Sequence, residues 1–280
     1  MKFPLMRTVP FLVCLGASSQ ASLVALYQFE EPEPSDGVGA VIDSVGSNNG
    51  TIVSGGGVTQ GAAGRFGNAY DFAAGGVDLG SSSAVQPTDG FTITMWINPS
   101  TLNAFDRYLE SQSTNTNAQH GIRLDSGGSG ANFRALIRSG TASNTQLTHS
   151  ATISAGTWYF AAARYDSNGA GLQLTVLADA ASTTAGAVGA ATETAGALNT
   201  GTLNSPHART SLLGLEIPAG NPNNLRGRMD DVAFFDHVLT DDELATAFNS
   251  GAIALIPEPS SIGLLLLGGT MMMRRSRSKG

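Results

Sequence analysis

The chain has 280 residues, 41% of them hydrophobic and only 13% charged, with 35 glycines. This is length for one large domain or two ordinary ones, with enough apolar material for a substantial core and about half the usual charged share. The net charge of -7 hides an asymmetry: six of the 15 basic residues, but one of the 22 acidic ones, lie in the first 21 and last 25 positions, so the stretch between carries nine arginines against 21 carboxylates, a net of -12. Such a surface repels phosphate backbones and argues against nucleic acid as a partner, while it is compatible with plain solubility, divalent cations or neutral sugars.

The N-terminus has the layout of a secretory signal: Lys2 and Arg7 form a basic region, Thr8 to Gly16 an apolar one, and Ser19-Gln20-Ala21 a small-x-small cleavage site, so residues 1-21 are expected to be removed after Ala21. The only cysteine, Cys14, lies inside this signal, which leaves the mature chain without disulfide or thiol chemistry. Val13 before it is not the small residue that lipoprotein processing prefers.

From Ser22 onward the pattern is strand-like. Leu23 to Phe29 reads as a first strand. Phe91 to Asn98 alternates Phe91, Ile93, Met95 and Ile97 with Thr92, Thr94 and Trp96, the period of two expected of a strand with one face in a core. Phe133 to Ile137, Trp158 to Tyr165, Leu172 to Leu177, Ser211 to Leu215 and Met229 to Phe235 read similarly. Asn49-Gly50, Asp89-Gly90, the Asp125 to Gly128 run and Ser167-Asn168-Gly169 are turn signals between them. The Ala/Thr/Gly-rich stretch from Ala178 to Gly201 reads as a long loop with ragged strands. One helix is marked: Thr240-Asp241-Asp242-Glu243 is a capping box, Leu244, Ala247 and Phe248 follow at helical spacing, and Gly251 is the stop. Many short strands with frequent turns predict an all-β fold, a two-sheet antiparallel sandwich with one short helix near the end of the domain. The expected organisation is a signal at 1-21, one domain at 22-252 and a terminal segment at 253-280.

That terminal segment holds twelve apolar-rich residues, Ile262 to Met273, short of the roughly 17 to 20 a helical span requires. Counted from Ile256 it reaches a marginal span, with Arg274, Arg275, Arg277 and Lys279 on the cytoplasmic side. Pro257-Glu258-Pro259, a short hydrophobic run and a basic cluster together resemble a PEP-CTERM sorting signal. The resemblance implies an exosortase-type membrane protease as partner, transient anchoring in the inner membrane, and delivery to the cell surface or extracellular matrix of a Gram-negative-type bacterium.

Six blocks follow one another in the body: "LVALYQFEE" (Leu23 to Glu31), "DSVGSNNGT" (Asp43 to Thr51), "GRFGNAYDF" (Gly64 to Phe72), "FTITMWINP" (Phe91 to Pro99), "GTWYFAAARYD" (Gly156 to Asp166) and "GRMDDVAFFDHVLTDDEL" (Gly227 to Leu244). In that order they resemble a LamG-like, concanavalin A-like jelly roll. The resemblance implies a structural calcium tying Asp43, with carbonyls of the Gly46 to Asn49 loop, to Asp230, since calcium takes six to eight oxygens. The alternative is that Asp43 caps a turn and Asp230 accepts backbone hydrogen bonds. Trp96 and Trp158 have two readings, core packing and a sugar-stacking platform, Trp96 being the better candidate for the second; Tyr27, Tyr108 and Tyr159 are similarly open.

Catalytic signatures are missing from the sequence. The related glucanases carry Glu-x-Asp-x-x-Glu on one strand, which sets two carboxylates about 5 Å apart. Asp230, Asp231 and Asp236 come nearest to that pattern, but Phe234 and Phe235 stand between them and no Glu follows at that spacing. There is no Gly-x-Ser-x-Gly, no His-Glu-x-x-His, and His120, His149, His207 and His237 have no ligand spacing. The expectation is a noncatalytic binding module, for carbohydrate, in the envelope or exopolysaccharide matrix. A structural matrix protein and a hydrolase with an unrecognised site are the alternatives.

Overall fold

The computed structural model describes residues 22-32, 38-53, 57-112, 120-137, 145-179, 192-194, 203, 210-216 and 223-256. The proposed signal with its Ala21 cleavage site, the Pro257-Glu258-Pro259 triplet with its apolar and basic continuation, and His207 lie outside these residues.

Two antiparallel sheets form the body, with strands numbered in chain order. The first sheet runs β14 (Thr192–Thr194), β13 (Gly171–Ala178), β12 (Tyr159–Asp166), β7 (Phe91–Pro99), β16 (Gly227–Phe235), β5 (Asn68–Phe72), β4 (Val58–Ala63), and β1 (Leu23–Tyr27) also pairs with β16. The second runs β11 (Thr145–Thr148), β10 (Arg134–Ile137), β9 (His120–Asp125), β8 (Arg107–Gln112), β15 (Ser211–Leu213), β6 (Gly76–Asp78), β3 (Gly50–Val53), β2 (Val38–Val41). Neighbours far apart in sequence, such as β7 with β16 and β8 with β15, give the crossed connectivity of a jelly-roll sandwich.

The alternation in β7 builds the main core: Phe91, Ile93, Met95 and Ile97 point between the sheets with Tyr165 and Ala163 of β12, and Ile122 and Leu124 of β9 meet them from the second sheet. The other phase of β7 is buried as well. The reason is the helix α1 (Asp241–Ser250), which lies on the outer face of the first sheet and buries Leu244, Ala247 and Phe248 against Trp96, Phe160 and Phe235. Its start is fixed by the capping box: Thr240 Oγ1 accepts from the Glu243 N–H at 3.3 Å, and Glu243 returns a carboxylate to the Thr240 N–H at 2.8 Å. Gly251, at φ 80°, ends it. The middle strands of the first sheet are therefore covered on both faces, and the outer face of the second sheet carries a cluster of charged residues.

Candidate functional site on the outer face of the second sheet

Alternation along β8, β9 and β10 decides what this face carries. In β9, Ile122 and Leu124 enter the core, so Arg123 and Asp125 point outward; in β10, Ala135 and Ile137 enter and Arg134 points outward. The register sets these residues in two rows. Arg107, Asp125 and Arg134 lie opposite one another across three strands, and Glu110, Arg123 and Leu136 form the next row.

Asp125 is the hub. Its Oδ1 accepts from Arg134 Nε at 2.8 Å and from the Gly127 N–H at 2.9 Å, and its Oδ2 accepts from Arg134 Nη2 at 2.7 Å. Arg123 Nε lies 2.8 Å from the same Oδ2 without the alignment of a hydrogen bond, and Arg107 Nη1 is 3.5 Å from it. Arg107 also reaches Glu110 Oε2 at 3.3 Å, donates Nη2 to Glu216 Oε1, and holds the Phe105 carbonyl through Nη1 at 2.5 Å. Asn223 Nδ2 donates to the second oxygen of Glu216 at 2.7 Å. Three guanidiniums and three carboxylates thus neutralise one another in a buried patch, a pattern that fixes side-chain geometry tightly because an unpaired member would be costly.

At one end of the patch Asp106 is buried; its Oδ2 accepts from Asn103 Nδ2 at 3.1 Å, and Oδ1 has no hydrogen-bond partner among the described residues. Burial pushes its carboxyl up to about 6, against the pull of Asn103, Arg226 and Arg107. Burial also lowers the Arg123 guanidinium, with the neighbouring Arg107 charge in the same direction.

The residues singled out in the sequence fall elsewhere. Asp43 is buried in its own turn, where Oδ1 accepts from the Leu26, Val45 and Gly46 N–H groups at 3.0, 3.2 and 3.0 Å, and Oδ2 accepts from Asn48 N and Nδ2 at 3.0 Å each. Burial pushes this carboxyl up, but the backbone donors outweigh it and leave it below the usual range. Asp230 sits at a bulge in β16, and its Oδ2 accepts from the Arg65 and Phe66 N–H groups at 2.7 and 2.8 Å. Burial, reinforced by the Asp231 charge, pushes it up to about 7. Each carboxylate thus serves its own turn, and five N–H donors aimed at Asp43 present positive dipoles where a cation would sit. Of the two carboxylates that the resemblance assigned to calcium, Asp43 has both oxygens taken by N–H donors, whereas Asp230 Oδ1 has no hydrogen-bond partner among the described residues; no group of three or more His, Cys, Asp or Glu comes together among the described residues.

Trp96 does not present a ring to solvent. It is 0% exposed, packed by Phe66, Phe160 and Phe248 at 6.0, 5.5 and 5.0 Å between centroids, because α1 covers what the sequence pattern suggested was a polar face. This is the core-packing reading and removes Trp96 as a stacking platform. Tyr27, Tyr108 and Tyr159 are buried too, whereas Trp158 is half-buried beneath Arg228, 5.8 Å from the ring centroid.

Residues 71–245, well over half of the chain, match the laminin G type of the concanavalin A-like lectin/glucanases superfamily. The chain belongs to that superfamily. No curated protein matches the sequence significantly. Among solved structures, domain 4 of an extracellular GH43 arabinanase from Geobacillus stearothermophilus, in complex with arabinotriose, is 18% identical with a TM-score of 0.53 over 85% of this chain and 100% of that one. The binding domain of Paraclostridial Mosquitocidal Protein 1 is 17% identical with a TM-score of 0.55, over 81% of this chain and 52% of that one. Trypanosoma rangeli sialidase in complex with sialic acid is 15% identical with a TM-score of 0.54, over 83% of this chain and only 33% of that one. At these identities the likeness is one of fold.

Within the superfamily fold, the sequence reading missed the strands that carry the charged patch, β8 and β9. A signal was there: in Ile122-Arg123-Leu124-Asp125 charged and apolar residues alternate at a period of two, and six of the nine arginines of the body lie between Arg65 and Arg164. Charged residues in an alternating run read as solvent-facing, and nothing in the sequence says that they pair with one another.

Proposed function

We propose that the chain is an exported, noncatalytic carbohydrate-binding module that acts at the cell surface or in an exopolysaccharide matrix. The observation that carries the reading is the closed ion-pair network on the outer face of the second sheet. Every oxygen of Asp125 is engaged by guanidiniums and a backbone N–H, and Arg107 draws Glu110, Asp125 and Glu216 into one network. A glycosidase requires a pair of carboxyl groups of opposed protonation facing a substrate; these carboxylates are instead buried and paired with guanidiniums, and their network holds rigid the strands and turns that carry the exposed rim around it, the property a binding face requires. The arabinotriose complex of the arabinanase domain supports the same direction, since that domain is matched over its whole length. The signal-like N-terminus and the PEP-CTERM-like tail support export followed by exosortase processing.

Affinity electrophoresis of the full-length chain in gels containing arabinan, dextran or xylan, with a reducing-end assay on the same polysaccharides, tests the reading. Retardation without release of reducing ends is expected. Release of reducing ends, or unretarded migration in every gel, contradicts it. Intact-mass measurement of surface-released protein tests the sorting step: a species beginning at Ser22 and lacking most of the tail after Pro259 is expected, and one ending at Gly280 contradicts it.

A further inference from the structure

Phe105 stands apart from every other large aromatic of the described chain. It is 38% exposed, whereas the large aromatics in the core are almost wholly buried. Its backbone is at φ 64°, in the left-handed region that a bulky side chain adopts only at a cost. Three contacts hold it there. Its N–H donates to the Gly127 carbonyl at 2.8 Å, its own carbonyl accepts from Arg107 Nη1 at 2.5 Å, and the Arg134 guanidinium lies 4.9 Å from its ring centroid. Strain that the surroundings enforce at an exposed position gives the fold no core packing in return, and such strain gathers at ligand sites.

We propose that Phe105 is a stacking platform for one ring of a neutral polysaccharide, on the ring face that Arg134 leaves open; this rests on the carbohydrate-binding reading above. A sugar ring offers an apolar face of C–H groups and an equator of hydroxyls, and an exposed aromatic face with a few fixed polar groups at its margin is its complement. Arg134, fixed by Nε and Nη2 on Asp125, covers one face of the ring and holds it in place, which leaves the other face to a ligand. The polar margin continues through Thr101, Asn103, Ser129 and Asn132, joined by Asn103 Nδ2 to Thr101 Oγ1 at 3.0 Å and Ser129 Oγ to Asn132 Oδ1 at 2.6 Å.

Charge selects the class of sugar. The positive charge of Arg134 is spent on Asp125, Asp106 lies one residue from the platform, and the body carries a net of -12. Acidic polysaccharides would meet a surface of like net charge.

The test is affinity electrophoresis of the full-length chain and its Phe105→Ala and Phe105→Trp variants against arabinan, dextran and xylan, with alginate and polygalacturonate as the acidic set. The result expected is binding to at least one neutral polysaccharide, weakened about tenfold or more in Phe105→Ala and retained in Phe105→Trp. Phe105→Asn, which suits the left-handed backbone, replaces the alanine variant should that one fail to fold. Unchanged neutral binding in Phe105→Ala, or binding to alginate and polygalacturonate alone, overturns the platform while leaving a binding module. A wild-type chain retained by none of the five overturns the binding reading itself.

Discussion

Arg134 and Asp125 face each other across β10 and β9 and close two parallel bonds, Nε to Oδ1 at 2.8 Å and Nη2 to Oδ2 at 2.7 Å. Asp125 is wholly buried, so removing it takes the shared carboxylate from three arginines in a low-dielectric patch, of which Arg107 keeps two others, Glu110 and Glu216, within ion-pair distance. Asp125→Ala should cost about 3–5 kcal/mol in denaturant unfolding, while Arg134→Ala, which removes one of several cations around the hub, should cost less. Equal losses for the two variants would mean that Asp125 is not the hub.

The strain at Phe105 predicts a separation of stability from binding. Phe105→Asn relieves a left-handed backbone costing roughly 1–2 kcal/mol for a bulky residue, but gives up a cation–π contact of about 0.5–1 kcal/mol with Arg134. The melting temperature should stay level or rise slightly while polysaccharide retention is lost. A clear fall in melting temperature would show that Phe105 serves the fold.

Three buried carboxyls set the pH dependence. Asp230 is pushed up to about 7, Asp231 to about 6 and Asp106 to about 6, each chiefly by burial. A raised folded value means that the folded state binds more protons than the unfolded one, so stability is fullest below about pH 4 as far as these groups go and falls as pH rises through 6 to 7. Asp43 works in the opposite sense, its depressed value removing stability as pH falls into the acid range. Asp230→Asn keeps an acceptor for the Arg65 and Phe66 N–H groups and carries no charge. Its unfolding free energy at pH 8 should equal or exceed that of the wild type by up to about 2 kcal/mol, with a flatter slope between pH 4 and 8. A variant less stable than the wild type at pH 8 would refute the assignment.

Asp43 should behave as a structural cap. Asp43→Asn turns one acceptor oxygen toward donors as another donor, and a cost of about 2 kcal/mol follows from losing charge-assisted bonds. Melting curves with added calcium and with a chelator should superimpose. A shift of several degrees on adding calcium would restore the cation that the family resemblance implied.

The sandwich and its helix were legible because their signals are local. Seven of the strands follow from alternation of large apolar residues, and the helix from Thr240, Glu243 and Gly251. What the sequence hid is what depends on contacts distant along the chain. The polar phase of β7 looked solvent-facing, yet α1, about 150 residues later, covers Trp96. Asp43 and Asp230 looked like shared ligands because both are acidic at family positions, whereas each is claimed by N–H groups of a separate turn. Arg107, Asp125, Arg134 and Glu216 come together only through strand register and a loop after β15, and the left-handed backbone at Phe105 has no marker in the residues Asn103 to Asp106.

The most direct test of the account is a crystal structure of the chain with an oligosaccharide cut from whichever neutral polysaccharide it retains. A sugar ring is expected over the face of Phe105 that Arg134 leaves open, with the Asp125 network unchanged beneath it. A sugar bound elsewhere on the sandwich, with Phe105 bare, would contradict it.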